Sequence, residues 1–89
     1  MISEELTIRN KLGLHARPCA LLSKTANLFS SSVLLTHKDR AVDAKSILGL
    51  MTMAMPYDST VTVTVEGKDE EKAMMSIREL FHNRFGEDE

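Results

Sequence analysis

Thr60-Val61-Thr62-Val63-Thr64-Val65-Glu66 alternates polar and apolar β-branched residues without a break. Successive side chains of a strand point to opposite faces, so three valines must lie on one face and the threonines on the other. A sheet built on such a strand has one covered face and one wet face. The chain has 89 residues. A domain of that size buries only about 60–65% of its unfolded surface, so every apolar stripe has to be used against that one face.

The remaining segments fit this requirement. Ile2, Glu4, Leu6 and Ile8 alternate with Ser3, Glu5, Thr7 and Arg9, which predicts a first strand. Asn10-Lys11-Leu12-Gly13 breaks it, with Gly13 suited to a positive φ. Cys19, Leu22, Ala26 and Phe29 recur at helical spacing and predict a helix with its core stripe there. After the loop Ser30-Ser31-Ser32, Val33–Thr36 and Arg40–Asp43 read as two strands, with His37-Lys38-Asp39 as a solvated turn. Asp69 is placed to cap a last helix, with Glu70 and Glu71 at its positive end. Ala73, Met74, Ile77, Leu80, Phe81 and Phe85 form its stripe, His82 falls on its outer face, Gly86 ends it, and the acidic tail is expected to fray. The order is βαββαβα. Helices on one face of a four-stranded, mostly antiparallel sheet bury all the stripes at once, an α+β open-faced sandwich formed by one domain over residues 1–89.

Gly13-Leu14-His15-Ala16-Arg17-Pro18 is the stretch with chemistry in it. Pro18 belongs in the first turn of a helix, where its missing N–H has no intrahelical partner to lose. His15 therefore stands at or beside the N-cap, next to unpaired backbone N–H groups and the positive end of the helix dipole. Arg17 adds a fixed cation. The combination suits an anion, and an imidazole there can carry the anion covalently; the plainer reading is a histidine that only caps the helix. Ala16, Ala20, Lys24 and Asn27 share the other face of this helix. Small residues beside a reactive group admit a close-approaching protein, although a solvated face would look the same.

Ala44 to Met55 is apolar nearly all round after Ser46, a good N-cap. So small a domain cannot bury the whole circumference. Leu50, Met53 and Ala54 are expected inward, and Ile47, Leu48 and Met51 outward as a patch for a partner. Cys19 lies on the core stripe, so inert packing is expected of it; it is four residues from His15, but no further metal ligands cluster nearby.

Composition narrows the function. A net charge of −2 and 4% aromatic residues oppose a nucleic-acid binder. One cysteine excludes an internal disulfide framework. No segment has the charge and apolar pattern of a signal peptide or the length of a membrane span. A cytoplasmic monomer without a cofactor and without membrane insertion is expected.

Gly13–Pro18 and Ala44-Lys45-Ser46-Ile47-Leu48-Gly49-Leu50-Met51, in this order of elements, resemble the HPr family. Its members are the histidine-containing phosphocarriers of the bacterial phosphoenolpyruvate-dependent phosphotransferase system. The resemblance covers essentially the whole chain. It implies sheet order 1-4-2-3 with three helices on one face. It implies that His15 accepts a phosphoryl group through Nδ1 from phosphorylated enzyme I and passes it to enzyme IIA domains. Arg17 would steady the group, with the backbone N–H groups of Ala16 and Arg17. Ile47, Leu48 and Met51 match the family's docking patch, to which spacing adds Ala20 and Lys24 as partner-facing residues, and Ser46 matches the site of an ATP-dependent HPr kinase/phosphorylase. Such a chain is a carrier, not an enzyme. Cys19, Leu12 and Pro56-Tyr57-Asp58 depart from the usual pattern, and the ending Phe81–Glu89 resembles the nitrogen-related branch. The alternative is a regulatory binding module of a nitrogen-related or catabolite-control phosphotransferase branch without direct sugar transport.

Overall fold

The structure is a computed structural model and describes residues 1–53 and 55–88. Its elements are β1 (Ile2–Thr7), α1 (Ala16–Ala26), β2 (Ser32–His37), β3 (Arg40–Asp43), α2 (Ile47–Met51), β4 (Thr60–Glu66) and α3 (Glu70–His82), followed by a 3-10 turn, Arg84–Gly86. The four strands form one antiparallel sheet in the order β1-β4-β2-β3. The alternation in β4 decides the layering. Val61, Val63 and Val65 are fully buried, whereas Thr62 and Thr64 lie half-buried on the other face. There Thr64 exchanges a hydroxyl hydrogen bond with Ser3 at 3.0 Å. Leu6, Val33 and Leu35 join the valines, and Cys19, Leu22 and Ala26 of α1, Leu50 of α2, and Ala73, Met74, Ile77 and Phe81 of α3 complete the same core.

Three local outcomes differ from the sequence reading. The apolar run after Ser46 is helical only over five residues; Thr52 closes it by donating its hydroxyl to the Gly49 carbonyl at 2.7 Å. Leu50 and Met53 are buried as expected, and Ala54 lies outside the described residues. Phe29 falls beyond the end of α1 and only half-covers the core. Asp69 does precede α3, but its side chain caps nothing there. Its carboxylate instead accepts the backbone N–H groups of Ser30 and Ser31 and the Ser31 hydroxyl. Ser31 is buried and needs an acceptor away from water, so this use of the carboxylate wins. The Ser31 hydroxyl, helped by the N–H of Ser30, holds the Asp69 carboxyl down at about 2.

The end of the chain also differs. Arg84 and Phe85 both adopt left-handed φ values of 53°. Such a conformation costs roughly 1–2 kcal/mol per non-glycine residue. Burial of the Phe85 side chain offsets this by about 1.5–3 kcal/mol. Its ring packs against Phe81 at 5.0 Å between centroids. The reversal turns residues 86–88 back along the molecule, so Glu87 docks where a frayed tail was expected.

Candidate functional site

The turn before α1 is built by Asn10 and Gly13. Gly13 donates its N–H to the Asn10 carbonyl at 3.0 Å, and the Asn10 amide returns a hydrogen bond to the Gly13 carbonyl at 2.6 Å. Gly13 has φ +73°, and a Cβ there would stand 2.6 Å from the Met55 carbonyl oxygen. That oxygen accepts the N–H of Leu14 at 2.9 Å, which ties the turn to the segment after α2. His15 follows as the N-cap with extended φ and ψ, and its carbonyl accepts the Cys19 N–H at 3.0 Å.

His15 does not cap the helix with its side chain. Its Nε2 instead meets Glu87 Oε2 at 2.7 Å, with the two side chains 35% and 13% exposed. The other carboxylate oxygen, Oε1, accepts the Asn10 amide at 2.8 Å. Among the described residues Nδ1 of His15 has no hydrogen-bond partner. The first N–H groups of α1, at Ala16 and Arg17, have no intrahelical acceptor. Arg17 is exposed, has no ion pair or hydrogen bond among the described residues, and lines a cleft with Gly86 and Glu87. On its other side His15 borders a shallow depression with Leu12, Leu14, His37, Met55 and Ser59.

Ala16, Ala20 and Lys24 are exposed along one side of α1. α1 and α2 pack together, joined by hydrogen bonds from Ser23 at 2.9 Å and Asn27 at 3.0 Å to the Lys45 carbonyl. Ser46 caps α2 by accepting the Gly49 N–H at 3.0 Å. Leu48 is 75% exposed, and Ile47 and Met51 are exposed beside it, as their outward placement required.

Cys19 is fully buried, donates its thiol to the Leu14 carbonyl at 3.5 Å, and is pushed up in pKa by burial. Among the described residues no cluster of three metal-ligating side chains exists. His37 is not a solvated turn residue. It ends β2 opposite Arg40, faces the Thr60 carbonyl at 3.3 Å, and leaves only Lys38 and Asp39 in the turn. Sequence reasoning missed Asn10 and Glu87. The available signals were an asparagine three residues before a turn glycine and an apolar Phe85 able to anchor the acidic residues after it.

The sequence profile described as "PTS HPr component phosphorylation site" matches residues 2–83. The chain belongs to the HPr family. It is 48% identical to the phosphocarrier protein HPr of Xylella fastidiosa (strain Temecula1) over 88 residues, 99% of each chain. It is 42% identical to the HPr-like protein Crh of Bacillus subtilis over 77 residues, 86% of this chain and 91% of Crh. The crystal structure of HPr-C-His from Thermoanaerobacter tengcongensis superposes with a TM-score of 0.95 at 39% identity, covering both chains fully. The HPr fold, with its 1-4-2-3 antiparallel sheet and three helices, is the one found here. No described helix is long and apolar enough to cross a membrane.

Proposed function

We propose that His15 is the phosphoryl acceptor, receiving the group at Nδ1 from phosphorylated enzyme I and delivering it to enzyme IIA domains during sugar uptake. The observation that carries this is the His15 ring at the start of an eleven-residue helix, with Nδ1 unengaged among the described residues and the Arg17 guanidinium close along the chain. Neutral imidazole is a good nucleophile near neutral pH. The N–H groups of Ala16 and Arg17 and the helix dipole favour the phosphoryl anion once attached. Arg17 offers its oxygens a planar fork. Transfer of this kind rests on positioning and charge compensation. His15 borders an open depression lined by Leu12, Leu14 and Met55, a surface that a partner can complete.

Ser46 is read as a regulatory site for an HPr kinase/phosphorylase. A phosphate there suits the start of α2 but brings about two negative charges beside Ile47, Leu48 and Met51. Similarity to Crh, the Bacillus subtilis catabolite repression HPr, supports a second reading as a regulatory module, for which phosphorylated Ser46 would be the signal.

Incubation with phosphoenolpyruvate and enzyme I is expected to give acid-labile, alkali-stable label on the chain, and none on H15A. Label that persists in H15A overturns the assignment. Transfer from the labelled chain to enzyme IIA proteins separates the carrier from the purely regulatory reading.

A further inference from the structure

We infer that Glu87 is a positioning residue for phosphoryl transfer: it holds the His15 ring by Nε2, fixes the tautomer, and turns Nδ1 toward the incoming group. The inference rests on the carrier reading of His15. A carboxylate accepts hydrogen bonds and donates none, so at 2.7 Å from Oε2 the proton lies on Nε2. In a neutral ring the lone pair is then on Nδ1. The hydrogen bond at one ring nitrogen thereby decides what the other can do.

The carboxylate is itself held. Oε1 takes the Asn10 amide, and Asn10 is fully buried and clamped by its other bond to the Gly13 carbonyl. Phe85 pins the backbone two residues earlier. Glu87, Asn10 and the turn before α1 therefore form one rigid unit around the ring. A merely electrostatic acid on a loose tail would not need a buried amide behind it.

The step balances without any further reactant. The Nδ1 lone pair forms the N–P bond while the bond from phosphorus to the donor atom of enzyme I breaks, and that pair stays on the donor. The Nε2 proton is retained throughout. The phosphorylated ring then carries a positive charge opposite the Glu87 carboxylate. On delivery the N–P pair returns to Nδ1, and the ring leaves as neutral imidazole, not as imidazolate. Glu87 thus supports both directions of transfer, in the way a buried carboxylate orients the histidine of a catalytic triad.

The test reads the ring and the reaction separately in the full chain. Ring ¹⁵N shifts of His15 are recorded by NMR in the wild type, E87Q and E87A, with single-turnover phosphorylation by phosphoenolpyruvate and enzyme I. The wild-type neutral ring is expected to be almost wholly the Nε2–H tautomer. E87A is expected to give a tautomer mixture and to slow uptake roughly tenfold or more, the scale of a hydrogen bond to a charged group. E87Q offers one acceptor oxygen to two donors, the clamped Asn10 amide and the ring N–H, so it is expected to lose the Nε2–H preference as E87A does and to slow uptake. Ring shifts unchanged in E87A, or changed shifts with unchanged uptake, overturn the inference. A wild-type chain that takes up no phosphate overturns the carrier reading instead, while the ring shifts still decide whether Glu87 sets the tautomer.

Discussion

The Met55 carbonyl occupies the space a side chain on Gly13 would need: a Cβ there lies 2.6 Å from that oxygen. The same oxygen accepts the Leu14 N–H, so the loop after α2 directly sets the position of the residue before His15. Gly13→Ala combines a left-handed φ with a clash against backbone. It is expected to cost at least ~2 kcal/mol, lowering Tm by about 10 °C. Thermal unfolding followed by circular dichroism checks this. If His15 is the phosphoryl acceptor, its phosphorylation should fall in the variant even well below its Tm.

Asp69 makes stability depend on pH. Its carboxyl is held at about 2 by the Ser31 hydroxyl and the Ser30 N–H, below its unfolded value near 3.8. The contribution is therefore fully present above about pH 4 and is lost as pH falls through about 2. Urea unfolding of the wild type and Asp69→Asn between neutral and acid pH is expected to show a stability gap that closes across that window. A constant gap would contradict the assignment.

Ser46 caps α2, and the regulation proposed for it would act by different means. Ser46→Ala removes the acceptor for the Gly49 N–H and should cost about 1 kcal/mol while leaving phosphoryl uptake nearly unchanged. Ser46→Asp keeps an acceptor and adds charge beside the apolar patch. It should unfold close to the wild type but take phosphate from enzyme I more slowly.

Leu48 projects from α2 with 75% of its surface exposed. Leu48→Glu should change stability by less than about 0.5 kcal/mol. If this patch receives partners, the enzyme I concentration needed for half-maximal phosphorylation rises severalfold in the variant. An unchanged requirement would remove Leu48 from the docking surface.

Cys19 should behave as core. With the thiol buried and raised in pKa, a thiol reagent such as Ellman's is expected to react only after denaturation. Reaction of the native chain at the rate of a free thiol would show that the start of α1 opens readily.

The layering was legible because it follows from period alone. The valines of β4 and the stripes at Cys19, Leu22 and Ala26 admit one arrangement against a single sheet face. The local chemistry at Gly13 and Ser46 was equally readable, since a tight turn and an N-cap are decided by residues within three positions. The roles of Asp69 and Glu87 were not. Each carboxylate looked locally assigned, to a helix cap and to a frayed tail, but each serves donors distant in sequence: Ser30 and Ser31 for one, Asn10 and His15 for the other. Only the fold determines which donors lie near, so no spacing rule could have paired them.

The sheet order has a consequence for how the chain becomes functional. Among the described residues β1 pairs only with β4, joining Ile2 to Val65, and β2 also has β4 as its second neighbour. Contacts so distant in sequence form late and slowly. During synthesis, β1 and the His15 turn emerge ahead of Met55 and β4, which later hold them. The docking of Glu87 waits longer still. A nascent chain therefore exposes the histidine well before Glu87 has followed to hold its ring.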